Sequence, residues 1–116
     1  MYADDPTRLR HMLESAREAQ EFSINHDQAV LENDRMRYHA IKDCLGIIGE
    51  AAFNISRDFK DNHPEIQWSD LVRMRNRLVH DYFMIDPDVM WTTVIDILPD
   101  LTDELEKLVL ELDVGN

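Results

Sequence analysis

Seven apolar or aromatic residues, Tyr38, Ile41, Leu45, Ile48, Ala52, Ile55 and Phe59, follow one another in alternating steps of three and four. This spacing returns to the same face of an α-helix at every turn and would scatter over both faces of a strand, so it predicts one long helix from about Asp34 to Lys60. A seam of this kind packs against other helices at coiled-coil-like angles. Gly46 and Gly49 sit inside it, and each costs about 1 kcal/mol of helix stability relative to Ala. Their expected use is to let another backbone come close, either a neighbouring helix or a second subunit.

The remainder of the chain reads in the same way. With Asp5 as N-cap and Pro6 at the first helical position, a first helix runs through Leu9, Met12, Leu13, Ala16 and Ala19 to about Phe22. Ser23 to Glu32 is polar and reads as a connection holding at most one short turn. Asp61 to Pro64 stops the long helix. A third helix begins after Trp68 with Ser69 as N-cap and turns Leu71, Val72, Leu78 and Val79 inward. Asp86 and Pro87 open a fourth with Met90, Trp91, Val94, Ile97 and Leu98; Pro99 is expected to kink or break it, and Leu101, Leu105, Leu108 and Leu112 continue the stripe. The β-branched run Thr92 to Ile95 has no partner run elsewhere. With three Gly and four Pro among 116 residues, the expected fold is all-α, an antiparallel up-and-down bundle of four to five helices forming one domain over residues 1–116.

The charge narrows the function. There are 24 acidic residues against 12 basic ones, a net charge of −12, which excludes a broad basic surface for nucleic acid. The excess is unevenly spread: residues 57–80 carry four acids against five bases, whereas residues 81–116 carry ten against one. Room is left for a small cationic cleft in the first of these segments. The lone Cys44 permits no intramolecular disulfide and no Cys-based metal cage, and reads as a small buried hydrophobe in a reducing compartment. No run approaches the ~20 apolar residues of a membrane span, and the N-terminus lacks a signal pattern; a cytoplasmic protein is expected. His39 and Asp43 lie one turn apart without a third metal ligand. There is no Gly-rich phosphate loop, serine elbow or paired-acid motif, so neither metal nor cofactor is expected.

The cluster Arg73, Met74, Arg75, Asn76, Arg77, Leu78, Val79, His80, Asp81, Tyr82 lies in the least acidic segment and runs two residues past its end. Arg forks two hydrogen bonds onto a phosphate and cannot act as a base, while His gives or takes a proton near neutral pH. Metal-free cleavage of a phosphodiester needs both, together with a fixed cation for the charge on the pentacoordinate phosphorus. Taken alone, the cluster equally fits a solvated face whose arginines pair with carboxylates, a structural histidine beside Leu78 and Val79, and a core or interface tyrosine. At about 100° per residue, Arg75 and Tyr82 share a stripe, whereas His80 points about 140° from Arg75, on the side of Arg73, Asn76 and Arg77. For Arg75 and His80 to meet, either the helix loosens near His80 or two copies of it face each other across a dimer axis.

The segment Arg75 to Tyr82 resembles the Arg-x4-His-x-Tyr motif of HepT-type toxins in the HEPN superfamily of small helical ribonucleases. The opening Arg8 to Glu14, the stretch Ile47 to Ala52, the entry Ile66-Gln67-Trp68 and the pair Tyr82-Phe83 occur in that family's order. The resemblance implies a HEPN-like homodimer whose composite cleft, lined by Arg75 and His80 from both subunits and assisted by Asn76, cuts RNA without metal; Arg73 and Arg77 are supporting cations. It also implies a type VII toxin–antitoxin pair, in which a nucleotidyltransferase antitoxin transfers AMP to Tyr82. The alternative from a different class is a non-catalytic regulatory or nucleotide-binding subunit of a nucleotidyltransferase.

Overall fold

The computed structural model describes residues 4–80 and 86–114, and these are mostly helical, with no strand among them. Four long helical stretches carry the core: α1 (Asp5–Ser23), α3 (Arg35–Asn54), α5 (Trp68–His80), and a last stretch made of α6 (Pro87–Thr92), a π-helical turn (Thr93–Ile97) and α7 (Leu98–Val114). Two short helices, α2 (Val30–Asn33) and α4 (Arg57–Asn62), fill connections. α1 packs along both α3 and α7, and α5 packs on the other flank of α3. Leu9, Met12, Ile41, Leu45, Ile48, Met90, Val94, Leu98 and Leu105 are fully buried between them, each contributing about 1.5–3 kcal/mol. None of the described helices is long and apolar enough to cross a membrane.

Helix boundaries depart from expectation where capping chemistry decides them. The first N-cap is Asp4, whose carboxylate accepts from the Thr7 amide at 2.9 Å and is thereby held below the ordinary carboxylate range. Asp5 is thus freed to reach across to α4: its carboxylate accepts from the Ser56 amide at 3.0 Å and from the Ser56 hydroxyl at 2.6 Å. Here the long helix expected from Asp34 to Lys60 divides in two. Asp34 is its N-cap as well as its limit, but Ile55 and Ser56 are extended, and Ser56 caps α4 by accepting from the Phe59 amide at 3.2 Å. Within an unbroken helix the Ser56 amide would serve the ladder; Asp5 takes it instead. The third long helix begins at Trp68, one residue before the expected cap, with the indole Nε1 donating to the His63 carbonyl at 2.9 Å.

Pro99 interrupts the regular ladder without ending the helix. Its ring would collide with the carbonyl four residues back, and the turn before it widens to π geometry, with the Leu98 amide donating to Thr93. Such a turn absorbs the proline within a continuous rod.

The two glycines of α3 have different neighbours. A Cβ at Gly49 would lie 3.0 Å from the Leu71 carbonyl oxygen and 3.1 Å from the Arg75 Cα, closer still to the Arg75 Cβ, whereas one at Gly46 would meet nothing within 4 Å. The backbone admitted at Gly49 is therefore that of α5. Gly49→Ala is expected to destabilise the fold by about 1–3 kcal/mol, and Gly46→Ala to stabilise it by about 0.5–1 kcal/mol. Chemical denaturation of both variants checks the opposite signs.

Candidate functional site

The close crossing at Gly49 determines what surrounds Arg75. With α5 seated directly on α3, the Arg75 Nε donates to Glu50 Oε2 at 2.8 Å, and the guanidinium lies 4.6 Å from the centroid of the Phe53 ring. Its Nη1 donates to Asn76 Oδ1 at 2.9 Å. Two of five guanidinium donors are thus used, and the side chain, 23% exposed, keeps an edge toward solvent. An arginine held by a carboxylate, an amide and a ring face is oriented before any ligand arrives, so little rotamer entropy remains to be lost on binding.

His80 is the last residue of α5 and is exposed, with no hydrogen bond or ion pair to the described residues. The helix stays α-helical through His80, so it has not loosened before that residue, and the two side chains leave the axis about 140° apart. Arg75 lines a groove between α3 and α5 with Glu50, Gly46, Leu78 and Val79. His80 belongs to the opposite stripe of α5, with Arg73 and Asn76. The structure thus brings Arg75 and Asn76 together and leaves His80 apart from Arg75 in a single copy.

The other two arginines face away from α3. Arg73 donates to Asp70 at 3.1 Å, and Arg73 and Arg77 line a groove against the last helical stretch whose other walls include Asp96, Asp100 and Glu104. Those carboxylates offset the charge of Arg77. Tyr82, and with it Asp81 and Phe83, lies outside the described residues. His39 is within 3.4 Å of an Arg35 nitrogen, and no three His, Cys, Asp or Glu side chains gather among the described residues. Cys44 is buried, and desolvation, followed by the charges of Glu18 and Asp43, pushes its thiol up to about 11; a neutral thiol is a poor nucleophile.

Sequence reasoning did not single out Glu50 and Phe53 as partners of Arg75. The available signal is position: both follow Gly49 within one turn of α3, on the side where a glycine admits another helix. On the same two helices the apolar side chains of Ile47, Phe53 and Val79 are between 41% and 50% exposed.

Comparison with known proteins identifies the family. The family model described as "Ribonuclease HepT-like" matches residues 12–108, a span that contains Arg75, His80 and Tyr82. A "Probable ribonuclease HepT" from Thermococcus cleftensis is 47% identical over 75 residues, 65% of this chain and 68% of its own. A "Putative RNase MJ1380" from Methanocaldococcus jannaschii is 37% identical over 98 residues, 84% of this chain and 90% of its own. No solved structure matches at the same stringency.

Proposed function

Because the chain belongs to the HepT-like family of ribonucleases, we propose that it is the RNA-cleaving toxin of a type VII toxin–antitoxin pair in the cytoplasm, acting as a homodimer of HEPN-like bundles. The observation that carries this reading is the split on α5. Arg75 is pre-oriented on one side by Glu50, Asn76 and Phe53, and His80 is exposed on the other. One copy supplies a phosphate clamp and a proton carrier pointing apart; two copies related by a twofold axis bring the clamp of each toward the histidine of the other. The exposed apolar side chains of Ile47, Phe53 and Val79 give such a pairing a surface to bury.

In the proposed reaction one His80 imidazole removes the proton of a ribose 2′-hydroxyl, and the 2′-oxygen attacks the adjacent phosphorus. As the new oxygen–phosphorus bond forms, the bond to the 5′-oxygen of the next nucleotide breaks, and the second His80 protonates that leaving oxygen. Arg75 stabilises the phosphorane through its free edge, while its other donors stay on Glu50 and Asn76. Both protons and the charge are handled by side chains, so cleavage should persist in EDTA. Incubating purified protein with RNA in EDTA tests this: cleavage is expected. Protein that binds nucleotide but leaves RNA intact and causes no growth arrest would instead be a non-catalytic subunit.

Tyr82 is the proposed acceptor of AMP from a nucleotidyltransferase antitoxin. The added phosphodiester is an anion and would compete with RNA for the arginines. Incubating the pair with ATP is expected to add an adenylyl mass to wild type and none to Tyr82→Phe; modification elsewhere would refute the assignment.

A further inference from the structure

Of the surface grooves along α5, the one against α3 contains Asp43 and Glu50, and the one against the last helical stretch contains Glu65, Asp70, Asp96, Asp100 and Glu104. Another has a different lining. It is a shallow depression between α4 and α5 lined by Lys60, Ser69, Arg73 and Asn76 over a floor of Trp68 and Val72, and its lining holds two cations, a hydroxyl, an amide and no carboxylate. In a chain of net charge −12, that composition is what an anion requires.

The depression is in register with the candidate site. Ser69, Arg73, Asn76 and His80 follow one another along α5 in steps of four, three and four, which places them on one stripe. Asn76 belongs to both places: its Oδ1 accepts from Arg75, which leaves its amide N–H groups to donate elsewhere. Four residues, about 6 Å of helix rise, separate Asn76 from His80, close to the reach of one nucleotide step along a single strand. We infer that the Lys60–Ser69–Arg73–Asn76 depression binds a backbone phosphate of the RNA strand next to the phosphate that is cut.

This rests on the ribonuclease reading and adds to it Lys60 and Ser69, which contact the strand without taking part in the chemistry. Arg73 spends one donor on Asp70 at 3.1 Å and keeps four. Lys60 has its Nζ 3.5 Å from the Phe53 carbonyl. Burial and then the neighbouring Arg57 lower its pKa, a cost to its charge that an arriving anion relieves.

The test measures binding separately from cleavage. The full chain carrying His80→Ala is titrated with a labelled single-stranded RNA over a series of salt concentrations, with and without Lys60→Gln, Lys60→Arg or Ser69→Asp. Lys60→Gln is expected to weaken binding about tenfold and to lower the slope of log Kd against log salt by about 0.7, the loss of one phosphate contact. Ser69→Asp, at an exposed position that leaves the fold intact, is expected to weaken it at least as much, and Lys60→Arg to keep most of it. In chains with His80 present, Lys60→Gln should raise KM and leave kcat unchanged. Unchanged affinity and slope in both Lys60→Gln and Ser69→Asp overturns the inference. So does weakened binding of ATP with RNA affinity unmoved, which would assign the depression to a free nucleotide. Lys60-dependent RNA binding by a wild type that never cuts would remove the ribonuclease reading and keep the phosphate site; cutting by variants that bind like their parent would remove the site alone.

Discussion

His80→Ala is expected to lower the rate of RNA cleavage by about 10³–10⁴-fold, the upper part of the range for a positioned acid–base residue, because the proposed dimer would lose both its base and its acid. At 1.36 kcal/mol per factor of ten this is about 4–5.5 kcal/mol of barrier. The loss should be almost purely chemical. His80 is exposed at the end of α5 and bonds to none of the described residues, so the melting temperature and the dimer should stay close to wild type. RNA cleavage kinetics together with a thermal melt provide the check, and wild-type cleavage by the variant would end the assignment.

The second large effect belongs to Arg75. In the proposed reaction, removing it would delete the cation at the phosphorane and leave the Glu50 carboxylate unpaired in the cleft; Arg75→Ala should cost about 10²–10³-fold in kcat or more. Arg75→Lys should rescue little, since an ammonium cannot reproduce the fork that engages Glu50, Asn76 and a phosphate at once. A mixture separates the composite cleft from a site within one chain. After exchange of subunits, an excess of His80→Ala protein should suppress wild-type cleavage, because a mixed dimer would keep only one of the two histidines the composite cleft needs. Activity that falls only in proportion to the share of wild-type chains would place the site inside a single copy.

Much of the fold is legible in the chain because burial follows the helical period. Ile41, Leu45, Ile48, Ala52 and Ile55, all in the seam, are buried, and Phe59 packs edge-on to Trp68 with ring centroids 6.2 Å apart. That regularity also hid the break at Ser56. The apolar register carries on across the division between α3 and α4, and the cause, a carboxylate from Asp5 capturing the Ser56 amide, is 51 residues away. Likewise Asp4 and Asp5 are interchangeable as caps by residue type, and only the tertiary partner of Asp5 decides between them. The motif residues Arg75, Asn76 and His80 stand out in the sequence by chemistry and spacing. Their partners do not, since Glu50 and Phe53 reach Arg75 through a helix crossing that only the packed bundle creates.

That crossing limits how such a cleft can be altered. With no side chain at Gly49 to act as a spacer, the distance between the two helix axes is fixed by main chain against main chain, and it cannot be tuned by exchanging one residue for a slightly larger one. For the phosphate site proposed above, graded changes of substrate preference would be made beside the crossing, at positions such as Lys60, Ser69 and Asn76, while the crossing itself stays constant. For redesign, this makes the Arg75 side chain, seated on the Gly49 crossing, the fixed part, and the Ser69–Arg73–Asn76 stripe of α5, with its neighbour α4, the adjustable part.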